Sequence, residues 1–132
     1  MSRYADAIYC ILRLIVGLLF ASHGAQLVLG MFGGMPGAGS PMIAIGGSIQ
    51  LIGGILIALG LLTRIAAFVC SGEMAVAYFV FHAPHGSFPI VNEGELSVFY
   101  CWVFLFFVFY GPGLWSLDAL LFRRSPAIAT TT

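Results

Sequence analysis

Four long apolar stretches dominate the chain, at about residues 8–29, 42–62, 65–82 and 95–111. Each is close to the roughly 20 residues that a helix needs to cross the hydrocarbon core of a bilayer. The stretches are continuous, whereas the strands of a membrane β-barrel alternate between apolar and polar residues. The pattern therefore predicts an all-α membrane protein, with four transmembrane helices in an antiparallel bundle that forms one domain over residues 1–132.

The segments between these stretches have the composition of turns. Residues 30–41 are rich in Gly, Pro and Ser, and residues 83–94 contain two further prolines, so neither can be helical throughout. A tight turn is predicted at Thr63–Arg64. After residues 111–113 (Gly-Pro-Gly), a short interfacial helix is expected from Ser116, a favourable N-cap, to Phe122. A cleaved signal peptide is the rival interpretation of the first stretch, but Arg13 interrupts it and it is long.

The composition supports a membrane protein, because 61% of the residues are hydrophobic and only 8% are charged. Such a chain is too apolar to be disordered, and with five arginines and no lysine it has no basic stripe for nucleic acid. In a four-helix topology all the arginines fall at the end of the bundle that holds both termini. Because positive charge marks the cytoplasmic side, both termini are predicted to be cytoplasmic.

Small residues on the second stretch predict close helix packing. Gly46, Gly53 and Gly60 recur every seven residues, as do Gly47 and Gly54. Helices in lipid pack closely where such residues let their backbones approach. The fourth stretch lacks such a row and carries aromatic residues on all sides, which is typical of a helix that faces lipid or a partner subunit.

Glu73 is the main candidate for chemistry, because it lies about eight residues from the predicted turn and therefore ~12 Å into the membrane at 1.5 Å per residue. A carboxyl group inside the membrane is costly unless it is neutral or paired, and it is a functional candidate by default. We expect Glu73 to be protonated and to act as a proton carrier. The alternative is a structural hydrogen bond, with Gln50 as the partner at similar depth.

Other polar residues are weaker candidates. His23 could contact a ligand, whereas His82 projects opposite Glu73 on an ideal helix and is not expected to share its pocket. Glu95 is a candidate ligand contact or a charge at a helix N-terminus. No metal site is predicted, and the cysteines form no paired motif for disulfide chemistry. Near the cytoplasmic surface we expect a structural ion pair of Asp118 with Arg13 or Arg64.

These motifs together resemble the DoxX family. The resemblance is carried by Arg13 with residues 17–24 (GLLFASHG), residues 51–67 (LIGGILIALGLLTRIAA), Glu73 with NEGEL at residues 92–96, and GPGLWSLD at residues 111–118. The family pattern has a Lys at the position of Gln26 and a Glu at that of Gln50. These departures remove one base and one acid together and weaken any mechanism that needs both charges.

The resemblance implies a small four-helix protein of the bacterial inner membrane, some of whose relatives are subunits of quinone-linked oxidoreductases. The expected function is therefore a membrane subunit, not catalytic alone, that offers a quinone pocket to a partner complex. His23, Gln26, Gln50 and Glu95 are the candidate ligand contacts, and a bound quinone is the only expected cofactor. A non-catalytic anchor that binds other subunits through the fourth helix is the first alternative, and a small-solute carrier or channel is the second.

Overall fold

The computed structural model describes residues 2–122, which form helices joined by short loops. The helices are α1 (Arg3–Val28), α2 (Pro41–Leu59), α3 (Thr63–Ala77), α4 (Glu95–Tyr110) and α5 (Leu117–Leu121). α3 continues through one π-helical turn, Tyr78–His82, and a 3-10 turn, Ala83–His85, so that helix runs unbroken over Thr63–His85. The predicted all-helical architecture is confirmed. Arg123 and Arg124 lie outside the described residues.

Within residues 2–122, three helices are long and apolar enough to cross a membrane: α1, α2 and Thr63–His85. α4 is also apolar but has only 16 residues, which is ~24 Å at 1.5 Å per residue. Local signals set the helix ends. Ser40 caps α2 through a hydrogen bond from the Ile43 N–H, and Gly60 ends it in the left-handed conformation, with φ at 70°. The predicted boundaries agree with these ends to within a few residues, except at the start of α1.

The two glycine rows of α2 serve two different neighbours. A Cβ atom on Gly54 would lie 2.5 Å from the backbone nitrogen of Ala21, so this row meets the backbone of α1. A Cβ atom on Gly53 would collide with the sulfur of Cys70, and one on Gly46 would lie 3.1 Å from Oε1 of Glu73, so these two glycines of the other row meet α3. The predicted close packing is confirmed, and the missing side chains are what allow both contacts.

α4 packs on α1 through aromatic rings. The ring centroid of Phe20 lies 4.6 Å from that of Phe104 and 5.0 Å from that of Tyr100. Phe104 and Phe107 are fully buried in the core. The expectation of an outward-facing aromatic helix therefore holds for only one side of α4, the side that carries Phe99, Trp102, Phe106 and Phe109.

A network of hydrogen bonds to the backbone closes the end of the bundle at the α2–α3 turn. Arg13, only 3% exposed, donates from Nε to the Ile57 carbonyl and from its terminal nitrogens to the carbonyls of Ala58, Pro112 and Trp115. The guanidinium group thus ties α1, α2 and the segment after α4 together. Five N–H donors in a planar fork suit such a set of carbonyl acceptors.

The acidic residue of the predicted ion pair also bonds to the backbone. The carboxylate of Asp118 accepts hydrogen bonds from the N–H groups of Leu62, at 2.8 Å, and Thr63, at 3.0 Å, which begin α3. Arg64 donates to the Val108 and Phe109 carbonyls at the end of α4. Among the described residues, Asp118 therefore bonds to backbone N–H groups and forms no ion pair with Arg13 or Arg64, contrary to expectation. The physical reason is that backbone groups left unsatisfied at helix ends lie within reach of all three side chains.

Candidate functional site

A cavity of about 670 Å³ lies between the four long helices, toward the end of the bundle that holds the two long connections. Its walls are mostly apolar, and side chains from every long helix contribute to them. The polar side chains that line it are those of His23, Gln50, Glu73, His82, Glu93, Ser97 and Tyr100. A mainly apolar cavity of this size with a few converging polar groups is typical of small-molecule sites.

Glu73 and Gln50 form the polar centre of one wall. The Gln50 side chain is 7% exposed, and its Nε2 donates to Oε1 of Glu73 at 3.1 Å. The predicted partnership of these two residues is confirmed. A Cβ atom at Gly46 would lie 3.1 Å from the same oxygen, so the glycine leaves room for the carboxyl group.

The second carboxyl oxygen of Glu73 is the unusual atom of the site. Oε2 is buried and has no hydrogen-bond partner among the described residues. Buried polar atoms are nearly always hydrogen-bonded, because an unpaired one costs about 1–3 kcal/mol. Because Glu73 lines the cavity, its unpaired oxygen marks a position where a ligand group that reaches it can bond.

His23 and His82 line the same cavity as Glu73. For His23 this agrees with its selection as a candidate ligand contact. For His82 the expectation from ideal helix geometry is wrong, because the helix widens into a π-helical turn over Tyr78–His82 and winds less per residue there. Such local widening is common at functional sites. The Nδ1 atom of His82 also lies 3.2 Å from the backbone carbonyl oxygen of Asn92.

Asn92 organises the connection that covers the cavity. Its buried side-chain amide donates to the Tyr78 hydroxyl at 3.2 Å and to the Gly86 carbonyl at 3.0 Å. Its Oδ1 accepts a hydrogen bond from the Gly94 N–H at 2.9 Å. Sequence reasoning did not single out this residue, although it begins the NEGEL motif. The network holds the neighbouring Glu93 at the cavity wall, in a left-handed conformation with φ at 61°.

Two predicted ligand contacts lie away from this cavity. The side chain of Gln26 donates to the Gly34 carbonyl at 3.2 Å and so ties α1 to the connection that follows it. Glu95 begins α4 and lines a neighbouring surface groove of about 1050 Å³, which shares Glu93 and Leu96 with the cavity. The apolar floor of that groove includes Leu12 and Trp102. The structure therefore brings together His23, Gln50 and Glu73, but not Gln26 or Glu95.

Comparison with known proteins identifies the family. The sequence model of the DoxX family matches residues 8–83, which is more than half of the chain. The chain belongs to the DoxX family. The matched range contains α2, α3 and all of α1 after its first five residues, and it includes His23, Gln50, Glu73 and His82. The cavity residues contributed by α4 lie beyond it.

The relatives of this DoxX-family chain are bacterial proteins that cover nearly its whole length. An uncharacterized protein of Haemophilus influenzae is 41% identical over 94% of this chain and 98% of its own. An uncharacterized membrane protein of Mycobacterium tuberculosis is 30% identical over 92% of this chain and 85% of its own. The inner membrane protein YqjF of Escherichia coli is 26% identical over 94% of this chain and 99% of its own. No solved structure gives a significant match.

Proposed function

We propose that this DoxX-family protein is a subunit of a redox-linked complex in the bacterial inner membrane, and that its cavity binds the headgroup of a quinone. The observation that carries the proposal concerns Glu73, which lines the cavity between the helices: its Oε2 is buried and has no hydrogen-bond partner within residues 2–122. The mostly apolar walls suit a quinone ring, and the cavity volume is within the range of about 300–1,000 Å³ typical of ligand sites.

The hydrogen bond from Gln50 decides what Glu73 can do. Because Nε2 of Gln50 donates to Oε1, that oxygen is the acceptor of the pair, and a proton on the carboxyl group belongs on Oε2. A protonated Oε2 donates to a quinone carbonyl, whereas an ionised one accepts from a quinol hydroxyl. The same atom therefore suits both oxidation states and can hold a proton exchanged with the ligand.

The opposite carbonyl of a quinone needs a second donor. His23 on α1 lines the cavity and can supply that donor from a ring N–H. His82 lines the cavity too, but its Nδ1 faces the Asn92 carbonyl oxygen, which can only accept, so a neutral His82 ring donates there and leaves Nε2 as an acceptor for a quinol hydroxyl. The role of the chain in this proposal is to bind and orient the quinone and to hold a proton at Glu73. The partner subunit of the complex supplies or accepts the electrons.

Quinone binding and turnover in variants of Glu73 test the proposal. Decylubiquinone is titrated into the purified protein in nanodiscs, and turnover is measured in the intact membrane complex. Glu73→Gln should bind the oxidised quinone, because its amide still donates, but should lose turnover, because it cannot exchange a proton. Glu73→Leu should lose binding as well. Glu95→Gln, outside the cavity, is the matched control and should behave like the parent protein.

Two results would count against this function. One is unchanged quinone binding in a folded Glu73→Leu protein. The other is full quinone-linked turnover by Glu73→Gln. The first result would show that the Glu73 side chain does not contact the headgroup. The second would show that Glu73 exchanges no proton with the quinone.

One observation favours an anchor or assembly subunit as a second candidate. The outer aromatic face of α4, defined by Phe99, Trp102, Phe106 and Phe109, is exposed, and three of these residues line the surface groove that reaches Leu12 on α1. Aromatic residues are enriched at protein interfaces. If this face binds another subunit, Trp102→Ala should release the chain from a complex isolated in mild detergent, whereas Leu120→Ala, exposed on α5, should not.

A further inference from the structure

The wall of the cavity between α2 and α3 contains residues that also lie on the outer surface. Ile45 on α2 is 64% exposed and Val76 on α3 is 60% exposed, yet both line the cavity. Gly72 lines it as well, and a Cβ atom there would meet nothing within 4 Å. The inside of the cavity and the outer surface of the bundle therefore meet at these residues.

Two contacts limit this opening to one part of the helix pair. Nearer the α2–α3 turn the helices touch, because any side chain at Gly53 would collide with Cys70. The next contact along the helix pair, moving away from that turn, is the hydrogen bond between Gln50 and Glu73. Beyond it, toward the long connections, the facing residues are the exposed Ile45 and Val76. Since α2 and Thr63–His85 are both apolar enough to span the membrane, the surroundings of the opening are lipid.

We infer that the cavity takes its ligand directly from the bilayer, through a lateral opening between α2 and α3 beside Gly72, Ile45 and Val76. The inference rests on the proposed ligand site and adds the ligand's route and its chemical class. The ligand is a molecule dissolved in lipid, with a polar head that bonds to Oε2 of Glu73 and an apolar tail that stays between the two helices.

The geometry accounts for both parts of such a ligand. The head meets the one cavity atom that is buried and has no partner among the described residues. The tail lies against Ile45, Val69 and Val76, whose exposed side chains continue the apolar surface from the cavity into the lipid. A tail left in the opening keeps its apolar surroundings and needs no space inside the bundle.

Photolabelling from within the bilayer tests the opening without any assumption about the natural ligand. The probe is 3-(trifluoromethyl)-3-phenyldiazirine, dissolved in liposomes that contain the full chain, and labelled residues are mapped by mass spectrometry. Tyr100 reports on the cavity, because it lines the wall and is buried. Phe68, exposed on the outside of α3, is the internal standard.

The expected result is labelling of Tyr100 and Phe68 in the parent protein, and loss of the Tyr100 label in Gly72→Trp, whose side chain fills the opening. The alanine side chain of Gly72→Ala is too small to close the opening, so Tyr100 should still be labelled in this variant. Ile65→Trp changes an exposed position on the same helix outside the cavity and should keep it too. Absence of the Tyr100 label in the parent protein, or equal labelling in Gly72→Trp, would overturn the inference.

A second measurement separates this inference from the proposed function. Decylubiquinone and 2,3-dimethoxy-5-methyl-1,4-benzoquinone, which lacks the tail, are compared for binding to the parent protein and Gly72→Trp. We expect the variant to lose the tailed compound. If neither compound binds the parent protein while Tyr100 is labelled as expected, the quinone assignment fails and the lateral opening stands. If decylubiquinone binds Gly72→Trp as it binds the parent, the opening is not its route.

Discussion

Nε2 of Gln50 lies 3.1 Å from Oε1 of Glu73, so a neutral amide on α2 is joined to the carboxyl group of α3 inside the membrane-spanning part of the bundle. The bond occupies one carboxyl oxygen, and the other is buried without a partner among the described residues. It also joins α2 to α3 next to the proposed opening. The same pair thus serves the scaffold and the candidate site, and substitutions can separate these two roles.

Replacing Glu73 by leucine should destabilise the bundle. The change leaves the buried amide of Gln50 without its partner, and an unsatisfied buried polar group costs about 1–3 kcal/mol. In Gln50→Leu/Glu73→Leu both polar partners are gone, and much of the stability should return. Thermal unfolding in detergent measures both effects. Equal stabilities of Glu73→Leu and the parent protein would show that the hydrogen bond does not support the fold.

Glu73 should be protonated at neutral pH. Its hydrogen-bonding partner is a neutral amide, and an ionised carboxylate in apolar surroundings is costly without a counter-charge. Infrared spectroscopy of the protein in lipid should therefore show a protonated-carboxyl band at pH 7, and this band should vanish in Glu73→Gln. A parent spectrum without the band would mean that Glu73 is ionised.

The effect of a glycine-to-alanine change on the stability of the bundle should depend on which surface the glycine faces. Gly54→Ala forces a methyl group against the backbone of Ala21 and should cost about 1–3 kcal/mol, as overpacking does. Gly72→Ala meets open space and should stabilise the helix by up to about 1 kcal/mol, because alanine is the better helix former. Unfolding curves of the two variants that shift by the same amount would contradict the packing of α1 on α2.

Asp118 should act as a helix cap for α3. Asp118→Ala removes the acceptor for the N–H groups of Leu62 and Thr63 and should cost about 1 kcal/mol. Asp118→Asn keeps an acceptor oxygen and should be milder. If Asp118 acted through an ion pair instead, Asp118→Asn should be as destabilising as Asp118→Ala, because asparagine has no charge. Thermal stabilities of the two variants distinguish the roles, and equal losses would favour the ion pair.

The arginine distribution predicts that both termini are cytoplasmic. An enzyme reporter that is active only outside the cytoplasm should be silent when fused after Thr132 and active when inserted near Gly37, in the connection between α1 and α2. A reporter that is active only in the cytoplasm is the control and should give the complementary pattern. The reverse result for both reporters would invert the orientation.

Hydropathy and turn composition determined most of the architecture. The lengths of the apolar stretches predicted the helices, and the repeats of Gly46 with Gly53 and of Gly47 with Gly54 predicted where α2 packs closely. The depth of Glu73 and Gln50 predicted their hydrogen bond. These inferences work because each depends on distance along a helix, which residue spacing measures directly.

Only the tertiary structure decided which faces are inside and which atoms are partners. Lipid and protein interior are both apolar, so hydropathy could not tell that Phe104 is buried while Trp102 on the same helix is exposed. The π-helical turn that brings His82 to the cavity departs from the ideal geometry that spacing assumes. Arg13 and Asp118 bond to backbone groups, which every residue carries, so their partners become distinct only when the chain is folded.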